Sequence, residues 1–157
     1  MAIAYLAIGS NIGDKEVNCA RALTRLEAFK DIEIITRSRF YTTEPLGGPP
    51  QDNYLNGAVK IKTQICPDEL LETVKKIEKD MGRDLFSGRD YPRIIDLDIL
   101  LYDSTIMDTP KLTIPHPRMH ERSFVLKGLV EIAPEVIHPV FGKTIEELYE
   151  DILLNRE

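Results

Sequence analysis

Arg89-Asp90-Tyr91-Pro92-Arg93-Ile94-Ile95-Asp96-Leu97-Asp98-Ile99-Leu100 joins a basic, loop-like entry to an apolar run carrying two acids. Ile94, Ile95, Leu97, Ile99, Leu100 and Leu101 are residues of a buried strand. Side chains alternate across a strand, so Asp96 and Asp98 share one face, while Ile95, Leu97, Ile99 and Leu101 share the other. The two acids stand roughly 6.5 Å apart at Cα, from a rise of about 3.3 Å per residue. Crowding two carboxylates costs repulsion and desolvation. A hard divalent cation such as Mg²⁺ removes that cost. For Asp-x-Asp alone, solvated acids on a half-exposed strand are the plainer reading. The apolar setting and Arg93, three residues before the first acid, turn the reading toward a nucleotide triphosphate site.

Working outward, Arg83, Arg89 and Arg93 make residues 83–93 an arginine-bearing loop. Before it, Cys66-Pro67-Asp68-Glu69 opens a helix, with Pro at its first position and acids in its first turn. Leu70, Leu71, Val74, Ile77 and Met81 mark its buried side, and Gly82 ends it. Lys75, Glu78 and Arg83 share a flank, for which a solvated charged face is the default. Residues 54–63 form a strand with Tyr54 and Asn56 on one face, opposite Leu55, Gly57, Val59 and Ile61. Such a pair can stack on and hydrogen-bond a planar heterocycle, although an edge-on Tyr of a half-exposed strand is the simpler reading. Gly-Gly-Pro-Pro makes 42–53 a long loop, and such loops in small domains are often functional. Residues 32–41 alternate as another strand. Residues 2–9 are the first strand, followed by a Gly9–Asp14 turn and a helix capped by Asp14 that runs to about Phe29. Beyond the acids come a turn at 102–105 into a short return strand, an extended 112–117 and a helix from Arg118 to about Ala133. Thr144-x-x-Glu147 is a capping box opening a last helix.

The order is strand-helix-strand, strand-helix-strand, then helices. It predicts an α+β, ferredoxin-like βαββαβ sandwich with a C-terminal helical extension. One sheet face is expected to be covered by helices. The other would carry Tyr54, Asn56, Asp96 and Asp98, overhung by the two long loops. No repeat or linker interrupts residues 1–157, so one domain is expected. The 157 residues carry 20 Lys and Arg against 26 Asp and Glu, a net charge of −6. A general nucleic-acid binder needs a basic footprint, so none is expected as partner. The N-terminus lacks a signal-peptide pattern and no apolar run approaches a membrane span. Cys19 and Cys66 form no Cys-x-x-Cys pair and read as reduced structural cysteines. A cytoplasmic monomer is the expectation.

His116 and His120 have zinc-like spacing, but Pro117 interrupts them, and a histidine contacting phosphate fits better. His138, before Pro139, reads as structural. There is no Gly-x-Ser-x-Gly, Walker-type or His-Arg-Asp motif. Residues 89–100 resemble the signature of the 6-hydroxymethyl-7,8-dihydropterin pyrophosphokinase family of folate biosynthesis. Ala7-Ile8-Gly9-Ser10-Asn11, the 40–47 stretch, Tyr54-Leu55-Asn56 and the segment from Pro115-His116 to Phe124 match in the same order. The resemblance covers nearly the whole chain.

It implies transfer of pyrophosphate from MgATP to the hydroxymethyl group of the pterin, releasing AMP. Asp96 and Asp98 fall where the family holds two Mg²⁺ ions, and Arg83 and Arg93 where it places loop arginines serving the triphosphate. Lys75, Glu78, Ile99, Lys111, Thr113, His116 and Arg122 match ATP contacts. Thr43, Glu44, Pro45, Leu46, Tyr54, Asn56 and Phe124 match the pterin site, with the ring between Tyr54 and Phe124. A nucleotidyltransferase would also combine Gly-Ser with Asp-x-Asp, but close together in sequence. A non-catalytic ferredoxin-like binding module would leave the acid pair without purpose.

Overall fold

The computed structural model describes residues 1–45, 50–82 and 93–155. Four long strands form the sheet: β1 (Ala2–Ser10), β2 (Ile32–Arg37), β4 (Tyr54–Thr63) and β5 (Asp96–Tyr102), in the order β2-β4-β1-β5. All neighbours are antiparallel, and a short β3 (Tyr41–Thr43) pairs with the start of β4. With α1 (Lys15–Glu27) and α2 (Pro67–Asp80) between strands, this is the ferredoxin-like βαββαβ arrangement. Asp14 caps α1, accepting from the Val17 N–H at 3.1 Å. Pro67 starts α2, and Gly82, at φ +90°, follows its end.

Alternation along the strands builds two cores. Ala4, Leu6, Ile8, Val59, Ile61, Leu97 and Ile99 face α1 and α2, meeting Cys19, Leu26, Leu70, Val74 and Ile77. The opposite face is not left bare as the sequence suggested. Tyr5, Ala58, Leu100 and Leu101 pack there with α3 (Ser123–Ile132), and α4 (Ile145–Leu154) packs on α3. The first turn of α3, at Phe124 and Val125, shares a cleft with Tyr54 and Asn56 of β4 and Asp96 and Asp98 of β5.

Leu101 lies on the face opposite to the expected one. The register of β1 and β5 shifts between Tyr5 and Leu6, which pair with Leu101 and Ile99, so Leu100 is a bulge that reverses the alternation. The expected strand 32–41 is two strands. Ser38 interrupts it: its N–H donates to Ala58 O (2.9 Å), while its Oγ accepts the Ala58 N–H (2.8 Å). A helix from Arg118 is also corrected: a 3₁₀ turn spans Met119–Glu121, and α3 begins at Ser123. Helix α1 ends at Glu27, two residues before Phe29. The predicted return strand is the hairpin of β6 (Met107–Asp108) and β7 (Thr113–Ile114). The capping box forms with both bonds: Thr144 Oγ1 accepts from the Glu147 N–H, and Glu147 Oε1 from the Thr144 N–H, each at 3.1 Å. Among the described residues no helix is long and apolar enough to cross a membrane.

Candidate active site

Pairing register places the polar face of the cleft. Gly9 lies opposite Asn56 on one side and Asp96 on the other, and Ala7 opposite Asp98. Two small residues of β1 therefore separate the ring-binding candidates from the acids. A Cβ on Gly9 would sit 2.6 Å from Asn56 Oδ1, so the glycine makes room for that amide. Asn56 Nδ2 donates to Thr43 Oγ1, tying β4 to β3.

The first cavity is lined by Ala7, Gly9, Thr43, Glu44, Pro45, Tyr54, Asn56, Asp96, Asp98, Arg122, Phe124 and Val125. Every described pterin-side candidate lies there, whereas Leu46 lies outside the described residues. A second cavity of about 350 Å³ is lined by Lys75, Glu78, Ile99, Lys111, Thr113 and His116, together with Leu71, Leu112 and again Asp96 and Asp98. The two acids thus belong to the walls of both cavities. Arg122, grouped by resemblance with the ATP contacts, lines the first cavity and not the second. Its guanidinium carbon stands 6.0 Å from the Phe124 ring centroid. Its buried Nε–H has no hydrogen-bond partner among the described residues.

Glu78 corrects the expectation of a solvated flank. It is 3% exposed, and its Oε2 accepts the Leu97 N–H at 2.9 Å, fixing α2 against β5 between the two acids. Lys75, one turn earlier, is exposed. His116 Nδ1 accepts the Arg118 N–H at 3.1 Å, so the ring proton of the neutral imidazole resides on Nε2. Burial, then the positive Arg122 nearby, lowers the His116 pKa to about 4, and the ring is a neutral donor at pH 7.

Arg93 is buried, with its backbone held by Asn11. The Asn11 N–H donates to Arg93 O (3.0 Å), and Asn11 Oδ1 accepts the Arg93 N–H (2.7 Å). Asn11 Nδ2 donates to Gln51 Oε1 (2.6 Å) and Asp52 O (3.2 Å). One buried amide therefore joins the end of β1 to the ends of both long loops. The sequence marked Gly9 and Asn11 as turn residues and as part of the matching Ala7–Asn11 stretch, with no role at the site; Gly-Ser-Asn lying at a strand end between two such loops was the available clue. Arg83 lies outside the described residues. Cys19 is buried, which pushes its thiol up to about 12, and Cys66 is exposed; both are free.

In this α+β sandwich the strand-borne acids thus stand between a cleft that includes Tyr54 and Phe124 and a second, polar cavity. A profile of the 7,8-dihydro-6-hydroxymethylpterin-pyrophosphokinase (HPPK) family matches residues 5–134. The chain belongs to this family, and is an ATP-using diphosphotransferase of folate biosynthesis. It is 43% identical over 148 residues to the 2-amino-4-hydroxy-6-hydroxymethyldihydropteridine pyrophosphokinase of Aquifex aeolicus, covering 94% of this chain and 90% of that one. It is 45% identical over 134 residues to the protein of that name in Bacillus subtilis, covering 85% and 80%. It also matches the folic acid synthesis protein fol1 of Schizosaccharomyces pombe at 40% identity, over 96% of this chain but only 20% of that longer one. Among solved structures, Plasmodium falciparum HPPK-DHPS with pteroate superposes with a TM-score of 0.79 at 19% identity, over 98% of this chain and 43% of that chain. At that identity the likeness supports the fold alone.

Proposed function

We propose that the first cavity holds the pterin ring between Tyr54 and Phe124, and that the second holds ATP. The observation carrying this reading is that Asp96 and Asp98 line both cavities, so the hydroxymethyl oxygen and the triphosphate meet across them. Asn56 and Thr43 would bond the ring edge, with Glu44, Pro45 and Leu46 closing beside it. The hydroxymethyl oxygen attacks the β-phosphorus, the bond from that phosphorus to the α,β-bridging oxygen breaks, and AMP leaves. The hydroxyl proton passes to water or to Asp96.

The acid pair suits two Mg²⁺ ions. No group of three or more metal-ligating side chains occurs among the described residues. Mg²⁺ is commonly held by one or two carboxylates, completing its octahedron with phosphate oxygens and water. When bound, it would neutralise charge on the phosphate oxygens and leave the phosphorus more open to attack. Transfer then rests on positioning and charge. Lys75, Lys111, Thr113 and the neutral His116 Nε2–H would hold phosphate oxygens, and Ile99 would pack on the nucleotide. The Arg122 Nε–H would gain an acceptor when ligands arrive. Arg83 and Arg93 would add positive charge to the transition state. The same reading takes residues 1–157 as one domain and the protein as a monomer of the cytoplasm.

The nucleotide product tests the chemistry: AMP is expected, whereas ADP would mean ordinary kinase transfer. Asp98→Ala should lower kcat by about 10³-fold or more, the scale of losing a principal source of transition-state charge stabilisation. A variant that keeps Mg²⁺-dependent turnover would remove Asp98 from the reaction.

A further inference from the structure

We propose that Glu131, which lines neither cavity, is a positioning residue for the pterin side of the reaction. The inference rests on the first cavity being the pterin site. Glu131 stands in the last turn of α3. An acid there opposes the helix dipole, which favours cations at that end. Its carboxylate nevertheless accepts three hydrogen bonds from one short segment: Arg39 N–H to Oε2 (2.8 Å), Arg39 Nε–H to Oε1 (2.9 Å) and Tyr41 O–H to Oε2 (2.8 Å).

That segment is where the sheet edge is interrupted. Regular pairing of β2 ends at Arg37, and pairing of β3 resumes at Tyr41 opposite Asn56. Glu131 supplies the Arg39 N–H with the acceptor that no neighbouring strand provides. Lys127, one turn earlier on the same helix, places its Nζ 4.4 Å from the Tyr41 ring centroid. Helix α3 also rests directly on the strands here: a Cβ on Gly128 would lie 3.2 Å from Ala58 N and 3.3 Å from Ser38 Oγ.

The consequence lies at the other ends of these elements. Two residues beyond Tyr41, Thr43 begins one wall of the cleft. Two turns back from Glu131, Phe124 lines the same cleft. β3 is held to β4 by three residue pairs, and Glu131, with Lys127 beside it, links the same segment directly to α3. The carboxylate therefore ties the segment that leads to Thr43 to the helix that carries Phe124 without lining the cleft itself.

The test uses the full chain with steady-state kinetics in both substrates. Glu131→Ala should raise KM for the pterin about fivefold to tenfold, leaving KM for ATP and kcat within twofold. Tyr41→Phe should raise the pterin KM less, and adding it to Glu131→Ala should cause little further loss, because the two residues share one link. Asn56→Ala, in the cleft itself, separates the layers of the reading. An unchanged pterin KM in that variant would refute the pterin assignment of the cavity. A raised pterin KM in Asn56→Ala with an unchanged one in Glu131→Ala would overturn the positioning role alone. A rise in both KM values together with a fall in melting temperature would also overturn it, since that is the signature of general loosening.

Discussion

Gly9 is small because a side-chain amide needs its space. With Asn56 Oδ1 2.6 Å from where a Cβ would stand, Gly9→Ala must displace the Asn56 amide. The fold can absorb this, because the displaced atom is the end of a side chain; the ring-edge hydrogen bond proposed for Asn56 cannot. Losing one such bond is worth about 1.5 kcal/mol, or roughly tenfold. Gly9→Ala should therefore raise the pterin dissociation constant about tenfold in a titration without nucleotide, with ATP affinity unchanged. Sequence reading grouped most of these site residues through resemblance, and alternation alone put Tyr54 with Asn56 and Asp96 with Asp98. It missed the burial of Glu78. An acid at the edge of an amphipathic helix is solvated unless a distant backbone N–H needs an acceptor, and only the docking of α2 on β5 reveals the Leu97 N–H.

Among the elements, those with strong local chemistry were legible: Asp14 before α1, Pro67 at the start of α2 and the Thr144–Glu147 box before α4. The breaks were not. Alternation continues through residues 32–41 although the strand stops, because the cause is Ser38 bonding twice to Ala58 across the sheet. The Leu100 bulge leaves no trace in an apolar run, since either face accepts leucine. Helix α3 shows two local preferences in conflict. Gly128→Ala would gain about 1 kcal/mol of helix propensity. The added methyl would press on Ala58 N at 3.2 Å, Ser38 Oγ at 3.3 Å and Ala58 Cβ at 3.4 Å, and overpacking of this kind costs about 1–3 kcal/mol. Because backbone is among the crowded atoms, the cost should prevail. Gly128→Ala is expected to lower stability by about 1 kcal/mol in urea unfolding.

For the whole molecule, the buried His138 and the half-buried His116 contribute to the response to acid. The His116 pKa is lowered to about 4 by burial first and then by Arg122. That of His138 is lowered by burial first and then by His120. His138 Nδ1 also accepts the Val140 and Phe141 N–H groups at 3.2 and 3.3 Å, bonds that a protonated ring cannot accept. Below the ordinary histidine value of about 6.5, the unfolded chain binds protons that the folded chain refuses. The stability contributed by the neutral rings is thus complete above that value, and falls as pH drops toward 4. The urea midpoint should decline over this window, and His116→Gln should decline less steeply than the parent protein.

The Asn11 amide is a knot with two separable strings. Its oxygen ties the approach to the acid-bearing strand, and its nitrogen ties the end of the opposite loop. Exchanging the amide for a carboxylate, Asn11→Asp, would keep the bond from the Arg93 N–H and lose the donation to Asp52 O, since an ionised carboxylate still accepts but no longer donates. Protease nicking near residues 51–52 should then quicken while the backbone around Arg93 stays protected. One atom's replacement would thereby release one rim of the reaction chamber and leave the other anchored.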